Sequence, residues 1–239
     1  MLTHTHIQSQ VILPPSTDDW FDNLRSDVRT LKGTNNYVPI LNGHKTNDNK
    51  RAQLMFEEFD VTKKYRGCRP CTPSDPVVLK RVHKFLQQWY NQIIAKLQRL
   101  KIVHGPRRAT PPILLISEAG CVKQKLHYDY NHKKVQAENY AGVPLSVLVG
   151  FTPGGSRLTI QLQKDEPETV EIDFGEMLIF TGDVVHAGGA YTDFNIRGFL
   201  HVEHAGCLAY EHDIVHLQTQ PKPRRRTSSR LSNNPITSV

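Results

Sequence analysis

Two histidines and one aspartate have the residue types and the spacing of a metal site. His127 and Asp129 lie two residues apart in the segment KLHYDYNHKK (125–134), and His186 follows an apolar, strand-like segment farther along the chain. Residues two apart on a β-strand project from the same face, so His127 and Asp129 can bind one ion together. His186, on a distant strand, completes a set of two imidazoles and one carboxylate. Such a set leaves coordination positions open and suits non-haem Fe(II) in oxygenases, whereas a structural zinc site requires four ligands.

Arg197 is the next residue with a chemical role in this pattern. The segment between His186 and Arg197 is long enough for a strand end, a turn and a partial return strand. We therefore expect the Arg197 side chain in the same interior, where a guanidinium can bind a carboxylate through two hydrogen bonds. A dicarboxylate could chelate the metal with a keto-acid end and bind Arg197 with its far carboxylate. The alternative is an exposed Arg197 paired with Asp193 or Glu203.

This ordered set resembles the Fe(II)/2-oxoglutarate-dependent oxygenases, which have an H-x-D…H pattern followed by a basic residue on the last strand. The segments QKLHYD (124–129) and GDVVHAGG (182–189) are most similar to the phytanoyl-CoA and prolyl-hydroxylase-like branches. The resemblance covers residues 112–204.

The resemblance implies a fold, a site and an activity. The fold is a double-stranded β-helix (jelly roll). The site binds Fe(II) through His127, Asp129 and His186, and 2-oxoglutarate through Arg197. The activity uses O₂ and 2-oxoglutarate, releases succinate and CO₂, and hydroxylates or demethylates a substrate.

The sequence departs from the family pattern just after the arginine. Many members have a hydroxyl residue there, whereas Gly198 and Phe199 follow Arg197 here. A second contact to the cosubstrate must therefore come from elsewhere, and the candidates are Tyr128, Ser117 and Thr159. The DNA/RNA-repair branch has a second arginine downstream of the anchor. None follows here before the basic tail, which disfavours base demethylation.

The elements that must position these residues are helical in the first half of the chain and β-rich in the second. Residues 74–100 have a capping residue, an early proline and an apolar stripe typical of an amphipathic helix, and residues 16–28 predict a shorter one. Residues 33–75 are rich in Gly, Asn, Lys and Pro and predict loops and short pieces. After residue 112, short β-rich segments with close turns predict an antiparallel sandwich or barrel. These segments are ILLIS, LSVLVGF, SRLTIQLQ, TVEIDF, EMLIFTG and RGFLHVE.

The predicted fold class is therefore α+β: a jelly roll with N-terminal helices that buttress its sheet. We expect residues 1–111 to form a helical and loop part that packs on the sheet. Residues 112–220 would form the catalytic core, and residues 221–239 a disordered basic tail.

The positive charge of the chain is concentrated in that tail. The formal net charge is +7, and residues 221–239 contribute +5 with no acid, which leaves +2 for the rest of the chain. The tail is either a solvated extension or a segment for nuclear import or polyanion binding through residues 222–230.

The remaining composition favours an intracellular protein, cytoplasmic or nuclear, with no membrane association. The sequence contains no secretory signal and no apolar run long enough for a membrane span. Four cysteines are too few and too scattered for a disulfide framework. Cys68 and Cys71 have zinc-ligand spacing, but a second pair is missing.

Two alternatives to the oxygenase interpretation differ in what they require. A non-redox, cupin-type metal-binding jelly roll would keep the metal ligands but have no use for Arg197. A nucleic-acid- or chromatin-associated oxygenase would use the basic tail and show steeply salt-dependent binding. We expect a small-molecule or peptide substrate, selected by loops around 33–75 and 130–144 that contain no recognisable motif.

Overall fold

Among the described residues, two helices lie in the first half of the chain, α1 (Trp20–Thr30) and α2 (Pro76–Arg99). The side chain of Asp75 accepts hydrogen bonds from two backbone N–H groups of the first turn of α2, at 2.8 and 3.4 Å. Pro76 occupies the first helical position, where no N–H is needed. The helix predicted for residues 74–100 is confirmed.

Most of the described residues in the second half of the chain are in β-strands. The computed structural model describes residues 8–11, 19–34, 37–39, 50–54, 74–103, 107–130, 144–162, 166–204 and 215–216. The described strands are β1 (Gln8–Val11), β2 (Tyr37–Pro39), β3 (Arg51–Leu54), β4 (Arg107–Ala109), β5 (Ile113–Ser117), β6 (His127–Tyr128), β7 (Leu145–Gly150), β8 (Ser156–Gln161), β9 (Glu168–Ile172), β10 (Glu176–Thr181), β11 (Val185–Gly188), β12 (Asn195–His204) and β13 (Val215–His216).

These strands form two antiparallel sheets. Eight of the described strands form the larger sheet, in the order β1-β10-β7-β12-β5-β3-β2, with β4 also paired to β12. The other five form the smaller sheet, in the order β13-β6-β11-β8-β9. From β5 to β12 the chain passes repeatedly between the two sheets, with only β8 and β9 consecutive in one of them. The strands that are neighbours in each sheet are therefore mostly distant in sequence.

The larger sheet is buried on both faces, and strand alternation separates the two sets of side chains. One face packs against α1 and α2 in a single apolar core that includes Leu24, Val28, Val82, Leu86, Trp89, Leu114, Ile116, Val147, Val149, Met177, Ile179 and Ile196. The other face meets the smaller sheet through Leu148, Leu158, Ile160, Ile172, Leu178 and Phe180. The interior between the sheets also holds the polar side chains of the site.

The architecture confirms an α+β protein with antiparallel sheets and few helices. The segment ILLIS coincides with β5, and the other five predicted strands are also present. The structure differs in the first half, where β1, β2 and β3 are strands of the larger sheet itself. The Cys68–Cys71 pair and the tail 221–239 lie outside the described residues. Within the part of the chain that is described, no helix is both long and apolar enough to cross a membrane.

Candidate metal centre and anion pocket

The three predicted metal ligands meet at two neighbouring strands of the smaller sheet, β6 and β11. His127 on β6 and His186 on β11 are direct cross-strand partners, and their ring centroids are 4.5 Å apart. Asp129 follows β6, and its Oδ1 lies 3.6 Å from Nε2 of His186. One potential ligand atom from each residue lies within 4.8 Å of the other two. Both histidines are buried, and Asp129 is partly buried.

Both imidazoles are oriented by backbone carbonyl groups two residues earlier. Nδ1 of His127 lies 2.8 Å from the carbonyl oxygen of Lys125, and Nδ1 of His186 lies 2.9 Å from that of Val184. A carbonyl oxygen only accepts hydrogen bonds, so each Nδ1 must be the protonated nitrogen that donates. In the neutral imidazole each Nε2 then carries the lone pair that can bind a metal ion. Hydrogen bonding of the other ring nitrogen in this way is typical of histidine ligands.

The Asp129 carboxylate is positioned by its own partners. Its Oδ2 accepts a hydrogen bond of 2.9 Å from the Ser146 hydroxyl, and its backbone N–H donates to the carbonyl of Gly182 over 3.1 Å. Burial alone would raise the pKa of Asp129, but the nearby histidines and the hydroxyl outweigh it. The pKa of the carboxyl therefore lies below its ordinary value. The group is ionised at neutral pH, as a metal ligand must be.

Gly182 is required at this position because Tyr130 packs against it. A Cβ on Gly182 would lie 2.4 Å from a ring carbon of Tyr130. The Tyr130 backbone N–H also donates to the Gly182 carbonyl, at 3.0 Å, and its hydroxyl donates to Glu203 on β12. These contacts tie the segment after β6 to the larger sheet and hold Asp129 beside the histidines.

The donor set fits iron better than structural zinc. The described residues supply two imidazole nitrogens and one carboxylate. This is the facial arrangement that leaves positions open on non-haem Fe(II), whereas structural zinc sites are closed by four protein ligands.

Arg197 lies in the same interior and forms the centre of an anion pocket. Its side chain is buried, its Nη2 donates to the Ser117 hydroxyl over 3.3 Å, and its guanidinium lies 5.5 Å from the Tyr191 ring centroid. Its Nε is buried and has no hydrogen-bond partner among the described residues. No ion pair joins it to a described acid, Asp193 and Glu203 included, so the exposed, paired alternative is wrong. A buried charge without a counter-ion is costly, and an anionic ligand would relieve that cost.

Gly188 allows the side chains of Gln124 and Arg197 to lie close to the backbone of β11, beside the candidate metal ligands. It lies two residues after His186 on the same face of β11, which corresponds to about 7 Å along a strand. A Cβ on Gly188 would lie 3.2 Å from Nη1 of Arg197 and 2.4 Å from the side-chain oxygen of Gln124. The backbone of Gly188 therefore lies directly beside the Arg197 guanidinium, and the residues present offer ligand atoms for a metal ion and hydrogen-bond donors for an anion.

The three candidates for a second cosubstrate contact differ in position. Ser117, on β5, is fully buried and is hydrogen-bonded to Arg197, so it lies in the pocket. Thr159 pairs with Ala187, whereas His186 pairs with Ile160, so Thr159 projects from the opposite face of the smaller sheet and does not reach the site. Tyr128 is adjacent to His127 on β6 and by the same alternation projects away from it.

Two polar residues of the site were not predicted from the sequence. Ser146, on β7, donates a hydrogen bond to Asp129. The only feature that could have indicated it was its inward position in an apolar strand. Arg51, on β3, is almost fully buried, and its Nη1 donates to the Ser117 hydroxyl over 3.0 Å. The sequence feature that could have indicated Arg51 is the alternation of polar and apolar residues in RAQL, which is typical of a strand. That segment was predicted to form loops and short elements.

Comparisons with known proteins show that the fold of this chain is similar to that of solved structures. No protein-family model matches the sequence, and no curated protein matches it. Among solved structures, a non-heme alpha ketoglutarate dependent epimerase, SnoN from nogalamycin biosynthesis, is similar with a TM-score of 0.51 and 14% identity, covering 85% of this chain and 80% of that chain. A prolyl hydroxylase from Trichoplax adhaerens, solved with a hypoxia inducible factor peptide fragment, has a TM-score of 0.49 and 14% identity over 83% of this chain and 84% of its own. At such identity, the similarity to the epimerase shows that the two chains share a fold.

Proposed function

We propose that this protein is an Fe(II)- and 2-oxoglutarate-dependent oxygenase built on a double-stranded β-helix. The observation that carries the proposal is the placement of the His127–Asp129–His186 group beside a buried Arg197 that has no acidic partner among the described residues. The alternation of the chain between two sheets from β5 to β12 supports the jelly-roll topology.

In this proposal His127, Asp129 and His186 hold the iron, and Arg197 holds the distal carboxylate of 2-oxoglutarate. When bound, iron and cosubstrate supply the oxidation: O₂ and 2-oxoglutarate are consumed, CO₂ and succinate leave, and one oxygen atom enters succinate and the other the substrate C–H bond. On an N-methyl group the same insertion would give a hydroxymethyl amine, which loses formaldehyde and leaves an N–H group.

The protein contributes orientation and a dry interior. The carbonyls of Lys125 and Val184 fix the two imidazoles, and Ser146 fixes the carboxylate. The ring of Phe180 packs edge-on to His186, with centroids 5.0 Å apart, next to the apolar core between the sheets. Excluding water on this side strengthens the interaction of Arg197 with a bound carboxylate.

The anion pocket disfavours the cupin-type alternative. A metal site without a cosubstrate has no need of a buried arginine, and a buried charge without a counter-ion costs several kcal/mol. In the oxygenase, the cosubstrate carboxylate supplies the missing counter-ion.

We further propose a small-molecule or peptide substrate and an intracellular, cytoplasmic or nuclear location. The location is supported by the low cysteine content and by Cys121, which is buried and free. Polyanion binding by residues 222–230 remains a prediction from the sequence alone.

Cosubstrate turnover tests the proposed activity. The purified chain is incubated with Fe(II), 2-oxoglutarate and O₂, with pooled small molecules, peptides and oligonucleotides, and succinate is measured. We expect succinate formation that requires Fe(II), is lost in His186→Ala and increases with a pool that contains the substrate. No succinate above the His186→Ala level with any pool would contradict the oxygenase assignment.

A further inference from the structure

A second buried arginine lies beside Arg197. Arg51 is 2% exposed and is the direct cross-strand partner of Ser117, which lies on β5 between β3 and β12. Nη1 of Arg51 and Nη2 of Arg197 donate to the same Ser117 oxygen, at 3.0 and 3.3 Å. Two positive charges therefore converge on one hydroxyl in the interior.

Backbone carbonyls fix the direction of the Arg51 guanidinium. Its Nη2 donates to the carbonyl oxygens of Val122, at 2.7 Å, and Gly189, at 2.5 Å. The Nη1 group of Arg51 therefore faces Ser117 and the backbone of Gly188. A Cβ on Gly188 would lie 3.2 Å from Nη1 of Arg51 and at the same distance from Nη1 of Arg197. Both guanidinium groups and the side-chain oxygen of Gln124 therefore meet at Gly188, on the face of β11 that also bears His186.

The pocket is thus more positive than a single arginine would make it. Like charges that share one hydroxyl acceptor repel each other in a poorly solvated interior, and an anion between them would be attracted to both. Arg197 offers such an anion a buried Nε with no described partner. A carboxylate, with two oxygens and several acceptor sites, can accept from two guanidinium groups at once.

We propose that Arg51 is a second anchor for the distal carboxylate of the cosubstrate. Arg51 and Arg197 would bind this carboxylate together, with the Ser117 hydroxyl between them. The inference rests on the proposed function and adds a specificity-determining residue to it. The pair would make the site select 2-oxo acids with a second carboxylate over those that lack one.

The test compares two ligands in the presence of Mn(II), a divalent metal that does not start turnover. The dissociation constants of 2-oxoglutarate and of pyruvate, which lacks the distal carboxylate, are measured by calorimetry for the native chain and for Arg51→Met. We expect the variant to bind 2-oxoglutarate at least about tenfold more weakly, because it loses a hydrogen bond between charged groups. The affinities for pyruvate and Mn(II) should stay within about twofold of the native values. Loss of a merely structural contact would not weaken the binding of 2-oxoglutarate alone. Arg157→Met, at an exposed ion pair with Glu171, is the matched control for loss of one charge.

Arg197→Ala gives a second measurement that leaves Arg51 in place. With two anchors, this variant should still prefer 2-oxoglutarate over pyruvate, though less than the native chain does. Loss of all preference in Arg197→Ala, or an unchanged 2-oxoglutarate affinity in Arg51→Met, would overturn the inference. If the native chain binds no 2-oxoglutarate with Mn(II), the proposed function itself is wrong, and this outcome is distinct from the other two.

Discussion

Ser146 donates a hydrogen bond to Oδ2 of Asp129 across the gap between the two sheets, at 2.9 Å. The same hydroxyl lies 3.3 Å from Nδ1 of His201 on the neighbouring strand β12. A serine hydroxyl has one proton, so when it donates to Asp129 the imidazole of His201 must donate to it. The carboxylate proposed to bind the metal is thus positioned by the larger sheet, although its histidine partners belong to the smaller one.

Replacing Ser146 by Ala should weaken metal binding. Without the hydroxyl, the Asp129 carboxylate loses the contact that fixes its orientation, and we expect the Mn(II) dissociation constant to rise about 10–100-fold. Competition titration with a metal indicator measures this. Ser156→Ala is the control, because Ser156 is also buried but bonds Asn195. Equal metal affinities in the native chain and Ser146→Ala would show that Asp129 is held without the hydroxyl.

Replacing His127, Asp129 or His186 by Ala should abolish high-affinity Fe(II) binding and leave the fold largely intact. The ligand atoms of the three residues lie within 4.8 Å of one another, and each supplies one of the three protein donors. Anaerobic titration measures binding, and circular dichroism measures folding. The exposed His83 on α2 is the control for loss of a histidine. If any one of the three variants binds Fe(II) with native-like affinity, the replaced residue is not a metal ligand.

The sequence was sufficient to predict the elements and residues whose signals are local. Helix α2 has its cap, its proline and its apolar stripe within one continuous segment, and most β-strands of the second half are apolar runs between turns. His127 and Asp129 lie two residues apart in one segment, and His186 was selected because it follows an apolar, strand-like segment and completes the ligand set with them.

What the sequence did not reveal depends on long-range pairing. Arg51 lies on a short strand whose neighbour, β5, comes only after the whole of α2 in the sequence, and nothing local specifies that pairing. Thr159 was selected for its hydroxyl, but it lies on the face of β8 that also bears the exposed Arg157, whereas Leu158 and Ile160 face the core between the sheets. The register with β11 places His186 on the same side as Ile160.

The position directly after Arg197, Gly198, has no room for a side chain. A Cβ at this position would lie 2.7 Å from the ring of Phe151, which is fully buried and packs against Trp89 with ring centroids 4.8 Å apart. Gly198→Ala should therefore lower the free energy of unfolding by about 1–3 kcal/mol, measured by urea denaturation. Gly154→Ala is the control, since a Cβ there has no neighbour within 4 Å. A Gly198→Ala variant as stable as Gly154→Ala would mean that the aromatic cluster can move aside.

Deleting residues 221–239 should leave the thermal midpoint nearly unchanged. The segment is basic and rich in Pro and Ser, with few apolar residues to bury. The deletion should also flatten the salt dependence of any binding to heparin or oligonucleotides. Unfolding of the truncated chain would show instead that the tail contributes to the core.

The central claim is that a metal and 2-oxoglutarate bind together, with Arg197 as the anchor. The most direct measurement is the free energy of unfolding with Mn(II), with and without 2-oxoglutarate. At a hundredfold excess over its dissociation constant, the cosubstrate should stabilise the native chain by about 2.7 kcal/mol. Arg197→Ala should lose most of this gain and still bind the metal, while Arg197→Lys should keep part of it, because the charge remains without the two-pronged geometry. A native chain that gains no stability from 2-oxoglutarate, or an Arg197→Ala variant that gains as much as the native chain, would contradict the account.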